Sequence, residues 1–235
     1  MNSSIMTANF RKVHDRNDWR TFIAAYVNSY YLPPMNTINI CPAILSGVTF
    51  NVSRPRYMNY GALGFITGHE ITHGFDDEGS QRDGDGNLVN WWQPETKKKY
   101  KAKTKCIIEQ YGNYSVEIGG KTIHLNGINT QGENIADNGG IKEAYKAYQQ
   151  SVRHHGEELP LPELGYTPTQ LFWLSAASFW CTVYTPENLS KLIRDTHSPD
   201  RFRVIGPFSN SPEFASDWKC PAGSPMNPTK KCSVW

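Results

Sequence analysis

The sequence predicts a predominantly helical α+β domain. Three observations carry this: several long stretches read as helix, Ser/Thr-Pro pairs open shorter helices, and strand-like alternation is confined to short runs. The 235 residues suffice for one domain, and a hydrophobic share of 38% suits a globular core.

In chain order, residues 9–26 mix charged and apolar positions as a helix does. Residues 37–41 alternate around Ile38 and Ile40, which predicts a short strand. Residues 60–75 read as helix despite Gly64 and Gly68. Aspartate and glycine crowd residues 76–87, which predicts a loop. Residues 116–118 and 122–125 form a hairpin closed by Gly119-Gly120. Residues 131–152 read as a long helix, in which Gly139-Gly140 marks a weak point or a close packing contact. Thr167-Pro168-Thr169-Gln170 is a strong helix start: Thr167 caps, Pro168 suits the first turn, and Gln170 completes a capping box. Thr185-Pro186 and Ser211-Pro212 open helices by the same logic.

The net charge of +2 arises from mixed signs and points to no nucleic-acid partner. The one basic run, Lys97 to Lys99, reads as a solvated helix face. No segment is long and apolar enough to span a bilayer, and the N-terminus has no signal-peptide core. The five cysteines show no Cys-x-x-Cys spacing. Glycosylation sequons begin at Asn2, Asn51, Asn113 and Asn188. Together with the cysteines they lean toward an oxidising, secretory setting.

The chemistry gathers at Gly68-His69-Glu70-Ile71-Thr72-His73, an H-E-x-x-H pattern. On a helix, residues four apart share a face, so His69 and His73 can chelate one Zn2+. Glu70 then sits beside the open coordination position, where it can take a proton from an attacking water. A catalytic zinc needs a third protein ligand. Glu133-Asn134-Ile135-Ala136-Asp137 offers two carboxylates four apart, one to bind metal and one to orient a ligand imidazole. An ordinary solvated helix face is the bland alternative for both acids.

Other candidates fail on spacing. Asp83-Gly84-Asp85-Gly86-Asn87 starts like an EF-hand loop, but Leu88 and Pro94 occupy its sixth and twelfth positions. His14, His124, His154 and His155 have no ligand spacing and read as structural or exposed.

The stretch from Gly68 through His73 to Gly74-Phe75-Asp76-Asp77 resembles the zinc helix of the neprilysin and endothelin-converting-enzyme family. So do Asn126-Gly127-Ile128-Asn129-Thr130 and Gly132-Glu133-Asn134-Ile135-Ala136-Asp137-Asn138-Gly139-Gly140. The ending Cys232-Ser233-Val234-Trp235 is similar to that family's Cys-x-x-Trp, and the likeness runs over residues 11–235. The resemblance implies a thermolysin-like catalytic domain over residues 1–235. It also implies that the family's membrane anchor and part of its helical lid domain are missing upstream.

The resemblance further implies the site roles. His69, His73 and Glu133 are the metal ligands, Glu70 is the general base, and Asp137 is the orienting carboxylate. Asn28 matches the backbone-binding asparagine of an Asn-Ala-x-Tyr motif, here Asn28-Ser29-Tyr30-Tyr31, and Ser29, in place of alanine, counts with it as substrate-binding. An edge strand here would let an extended peptide add as one more strand. His197 matches a residue that steadies the oxyanion, and Arg203 one that bonds a substrate carbonyl. Ile44, Phe65, Ile66 and Trp180 would line the pocket for the side chain after the scissile bond. The segment around Cys41 departs from the family's Phe-Pro-Ala-Gly pattern. The resemblance pairs Cys106 with Cys232, gives Cys181 and Cys220 partners in an upstream region, and assigns none to Cys41.

The expected function is therefore zinc-dependent endopeptidase action on oligopeptides before apolar residues, in an extracellular or cell-surface setting. The rival is a truncated remnant that binds zinc or peptide without turnover.

Overall fold

The computed structural model describes residues 24–235. The helix expected over 9–26 lies outside them, except for its last positions, where Ala24 and Ala25 form a turn. No helix among the described residues is long and apolar enough to cross a membrane.

Strands β1 (Ser29–Leu32) and β2 (Thr37–Ile40) form an antiparallel pair in the register Ser29↔Ile40 to Leu32↔Thr37. The following helix comes in three runs: α1 (Arg56–Asn59), a π-helical turn at Tyr60–Gly64, and α2 (Phe65–His73). The sequence pattern reads as one helix from 60 to 75. It does not reveal the π turn, which appears as an irregular carbonyl ladder rather than as a residue pattern.

Helix α3 (Pro94–Gly112) presents a narrow buried stripe of Thr104, Ile107 and Tyr111, at helical spacing, and leaves its lysines in solvent except for the half-buried Lys97. Strands β3 (Ser115–Ile118) and β4 (Lys121–His124) make the expected hairpin. Its turn residues Gly119 and Gly120 have φ of 58° and 76°, the left-handed region that a two-residue turn of this hand demands.

Helix α4 (Gln131–His155) is the long helix of the sequence reading. Helix α5 (Pro168–Ser178) opens on a complete capping box between Thr167 and Gln170. Helix α6 (Pro186–Leu192) is capped by Thr185. Helix α7 (Asp200–Asn210) follows, and Ser211 caps α8 (Pro212–Asp217). The three Ser/Thr-Pro starts thus fold as predicted, because each hydroxyl accepts a backbone N–H that the helix would leave unpaired.

Two cores flank the centre of the molecule. One gathers Tyr57, Phe65, Tyr148, Phe172 and Trp173, and the other Ile107, Tyr111, Ile135, Phe202 and Val234. Between them α2 lies against α4 at very short range. A Cβ on Gly68 would stand 2.7 Å from the Gly140 carbonyl oxygen, and one on Gly140 would stand 2.4 Å from the His69 nitrogen. Glycine at both positions lets the two backbones touch. That contact brings short acidic side chains on α4 within reach of the imidazoles on α2.

The C-terminal tail carries Pro221, Gly223, Pro225 and Pro228 and forms no regular element. The Cys106–Cys232 disulfide ties it to α3, as the resemblance implied. Cys41, Cys181 and Cys220 are free thiols among the described residues. Closing a loop of 126 residues constrains the unfolded chain strongly. The entropy model gives about 4–5 kcal/mol for such a loop. Cys232→Ser is therefore expected to lower the melting temperature by about 10 °C, at roughly 2–4 °C per kcal/mol for a chain of this size. A melting curve that matches the disulfide-bonded protein would show that the tail is held by packing alone.

Candidate metal centre

His69 and His73 project from one face of α2, as their spacing requires. Their Nε2 atoms lie 2.9 Å apart. Glu133, in the first turn of α4, places Oε2 3.3 Å from His69 Nε2 and 3.6 Å from His73 Nε2. These are the residues whose donor atoms cluster closely enough to hold a metal among the described residues.

Each imidazole spends its other nitrogen on a carboxylate. His69 Nδ1 meets Asp137 Oδ1 at 2.8 Å, and His73 Nδ1 meets Asp76 Oδ2 at 2.6 Å. With Nδ1–H donated outward, both Nε2 lone pairs point at one another and at Glu133 Oε2. That oxygen is buried and has no hydrogen-bond partner. A cluster of donor atoms of this kind, around a buried carboxylate oxygen that accepts no hydrogen bond, suits a cation. Two imidazole nitrogens and one carboxylate oxygen make a donor set that suits zinc, and the carboxylates behind the histidines fix the ring orientation that zinc requires. The residues present therefore fit the metal.

The electrostatics agree. Burial works against a charged His73, but the Asp76 hydrogen bond and the Glu133 carboxylate outweigh it and push its pKa up to about 10. Burial likewise opposes the charge on His69, and Asp137 and Glu133 raise its pKa nonetheless. Burial would raise the Glu133 pKa, yet the two imidazoles hold it far below the usual carboxylate range. The carboxylates thus attract positive charge to this point. Protons and a metal ion compete for it.

Asp137 is fully buried and anchors a further layer. Arg203, from α7, donates Nε to Asp137 Oδ2 and Nη2 to Asp137 Oδ1, both at 2.8 Å. Its guanidinium lies 3.9 Å over the Trp180 ring. Burial opposes the Asp137 charge, while Arg203 and His69 keep the carboxyl ionised, below its ordinary pKa. Arg203 thus braces the carboxylate that braces His69. Arg203→Lys would replace two parallel bonds with one point charge. We expect zinc content to hold and kcat/KM to fall on the order of tenfold to a hundredfold, as for other groups that orient a ligand. Wild-type kinetics in this variant would mean that the fork geometry is dispensable.

His69, His73 and Glu133 line a cleft of about 460 Å³. Glu70 is 5% exposed and lies within it. Asn28, just before β1, and Ser29, its first residue, line one wall, and Ser29 Oγ donates to Glu70 Oε1 at 2.9 Å. Ile44, Phe65, Ile66 and Trp180 all line the cleft, with Phe179 beside them. His197 enters half-exposed, its Nε2 3.3 Å from Glu133 Oε2 and its Nδ1 2.8 Å from Asp195 Oδ1. All the site residues named from the sequence, Asp137 apart, line this one cleft. Asp137 stands directly behind His69.

Three supporting residues escaped the sequence reading. Asp76 also accepts the backbone N–H groups of Glu78 and Gly79, which locks its aim at His73. Asp195 orients His197 through both its ring and its backbone N–H. Asn134, fully buried, accepts from Ser198 Oγ at 2.8 Å and so ties the His197 loop to the helix that carries Glu133. Asp76 and Asn134 stand within the quoted motifs, and Asp195 is two residues from His197. Proximity was the available signal.

The sequence profile of peptidase family M13 matches residues 28–234. Neprilysin-2 of Drosophila melanogaster is 54% identical over 223 residues, which cover 94% of this chain and 29% of that protein. Endothelin-converting enzyme 1 of Homo sapiens is 49% identical over 226 residues, covering 96% and 29% respectively. Among solved structures, the Mycobacterium tuberculosis zinc metalloprotease Zmp1 in complex with an inhibitor superposes at a TM-score of 0.88. It shares 34% identity, covering 99% of this chain and 36% of that one. The chain spans less than a third of the length of these two curated relatives. With a profile match over nearly its whole length and relatives at about half identity, this chain belongs to peptidase family M13.

Proposed function

We propose that this chain is a zinc-dependent endopeptidase that hydrolyses oligopeptides ahead of apolar residues. The observation that carries the reading is the convergence of His69 Nε2, His73 Nε2 and the unbonded Glu133 Oε2 in a cleft that also holds Glu70. When bound, zinc would be held by His69, His73 and Glu133 and would supply Lewis acidity beside Glu70.

The protein's own groups do the rest. Glu70 takes a proton from the attacking water and returns it to the leaving amine. Asn28, immediately before edge strand β1, holds the substrate backbone while the peptide adds alongside as a further strand. His197 presents Nε2 to the developing oxyanion, with Nδ1 secured by Asp195. Arg203, fixed by Asp137, reaches the next carbonyl. Ile44, Phe65, Ile66 and Trp180 receive the side chain that follows the scissile bond. Their apolar surface favours an apolar residue there.

An extracellular or cell-surface setting is supported by the Cys106–Cys232 disulfide and by the exposure of the sequon residues Asn51, Asn113 and Asn188. Cys181 is exposed and Cys220 half-buried.

The test is digestion of a peptide library by the purified, zinc-loaded chain, with cleavage sites mapped by mass spectrometry. We expect cuts ahead of apolar residues. Zinc bound without any cleavage would identify a non-catalytic remnant.

A further inference from the structure

The resembling motif carries alanine where this chain has Ser29, and the serine makes a contact that alanine cannot. Ser29 Oγ donates to Glu70 Oε1 at 2.9 Å. Both residues are closed off from solvent, at 4% and 5% exposure. Among the described residues, no other side chain hydrogen-bonds Glu70. Ser29 also opens β1, where it pairs with Ile40, and its backbone N–H donates to Asn28 Oδ1 at 3.0 Å. One residue therefore ties the base to the edge strand and to the side chain assigned to the substrate backbone.

We propose that Ser29 is a positioning residue that aims Glu70, an inference that rests on reading Glu70 as the general base. The terminal torsion of a glutamate is broad and roughly two-fold, so an unrestrained carboxylate samples many orientations. The Ser29 hydroxyl engages Oε1 and leaves Oε2 without a side-chain hydrogen bond among the described residues, available to take a proton. In the reaction the proton leaves water for Oε2 and then passes to the departing amine nitrogen. Ser29 keeps its own proton throughout. Once Glu70 is protonated on Oε2, the hydroxyl still donates to Oε1, which is then the carbonyl-type oxygen. The acid proton stays on Oε2. Because Ser29 belongs to the strand that the peptide would join, the base is held in register with the substrate backbone.

Ser29→Ala tests this in two ways. With a fluorogenic peptide, kcat should fall about two- to tenfold, the range that one lost hydrogen bond spans at 1.4 kcal/mol per tenfold. KM should change less than about twofold, since the serine hydroxyl is spent on Glu70 and the backbone of β1 is unchanged. A change in KM alone, or an unchanged kcat, overturns the proposal. The second readout needs no turnover: thermal melting of the metal-free protein in a cycle of Ser29→Ala, Glu70→Ala and the double variant. Ser29→Ala should lower the melting temperature by a few degrees when Glu70 is present and leave it unmoved in the Glu70→Ala background. Additive shifts would mean that the two side chains are not coupled. If wild-type protein cleaves no peptide, the peptidase reading fails and the catalytic role of Ser29 fails with it. If wild type cleaves and the variant matches it, the peptidase reading stands and this inference alone is lost.

Discussion

Glu70→Gln is expected to keep its zinc and to lose peptide cleavage by about a hundredfold to ten-thousandfold, the range for general acid–base help. The side chain lines the cleft but is not among the three residues whose donor atoms converge. Glutamine preserves its volume and can still accept from Ser29 Oγ, so fold and cleft should survive. It cannot take a proton from water at neutral pH. Zinc content by metal analysis, beside kcat on a fluorogenic peptide, separates the two effects. Near-full turnover would remove Glu70 from the role of base.

Glu133→Ala should lose zinc more severely than Asp137→Ala does. Glu133 contributes a donor atom directly, from a buried oxygen that accepts no hydrogen bond. Asp137 acts through His69, and loss of such a partner typically costs roughly tenfold to a hundredfold in metal affinity. The two variants should part in the opposite sense on stability. Asp137 is fully buried and holds both nitrogens of the Arg203 fork. Removing it leaves a buried guanidinium without its partner, which typically costs about 3–5 kcal/mol. Asp137→Ala should therefore melt lower while binding zinc better. Metal titration and melting curves on both variants test this. The reverse order of zinc affinity would mean that the two carboxylates exchange roles.

Much of this site was legible before the structure, for physical reasons that differ by residue. The i, i+4 spacing of His69 with His73 and of Glu133 with Asp137 needs only helical periodicity to place each pair on a face. The Thr167, Thr185 and Ser211 caps needed only local chemistry. Features that depend on two elements meeting were harder. The Gly139-Gly140 pair announced a close contact or a weak helix, and only the packing against Gly68 decided between them. Asp76 and Asp195 are aspartates in loops, where a turn is the ordinary explanation, and their aim at His73 and His197 is tertiary.

One helix, α3, was read only from its solvent face at Lys97 to Lys99, and another, α7, was not read at all. In α3 the buried stripe is narrow, and the lysines mark only its solvent side. In α7 the internal Pro207 speaks against helix, since proline removes one backbone bond. Yet α7 carries Arg203. The site's deepest support thus comes from an element that propensity argues against.

The most direct test of the account is to locate zinc itself. Crystals of the zinc-loaded chain, measured on either side of the zinc absorption edge, yield an anomalous difference map. One peak should lie among His69 Nε2, His73 Nε2 and a Glu133 oxygen, at about 2 Å from each. It should vanish in Glu133→Ala and persist in Glu70→Gln. A peak held by other residues, or none at full zinc loading, would contradict the assignment of these three residues as the metal centre.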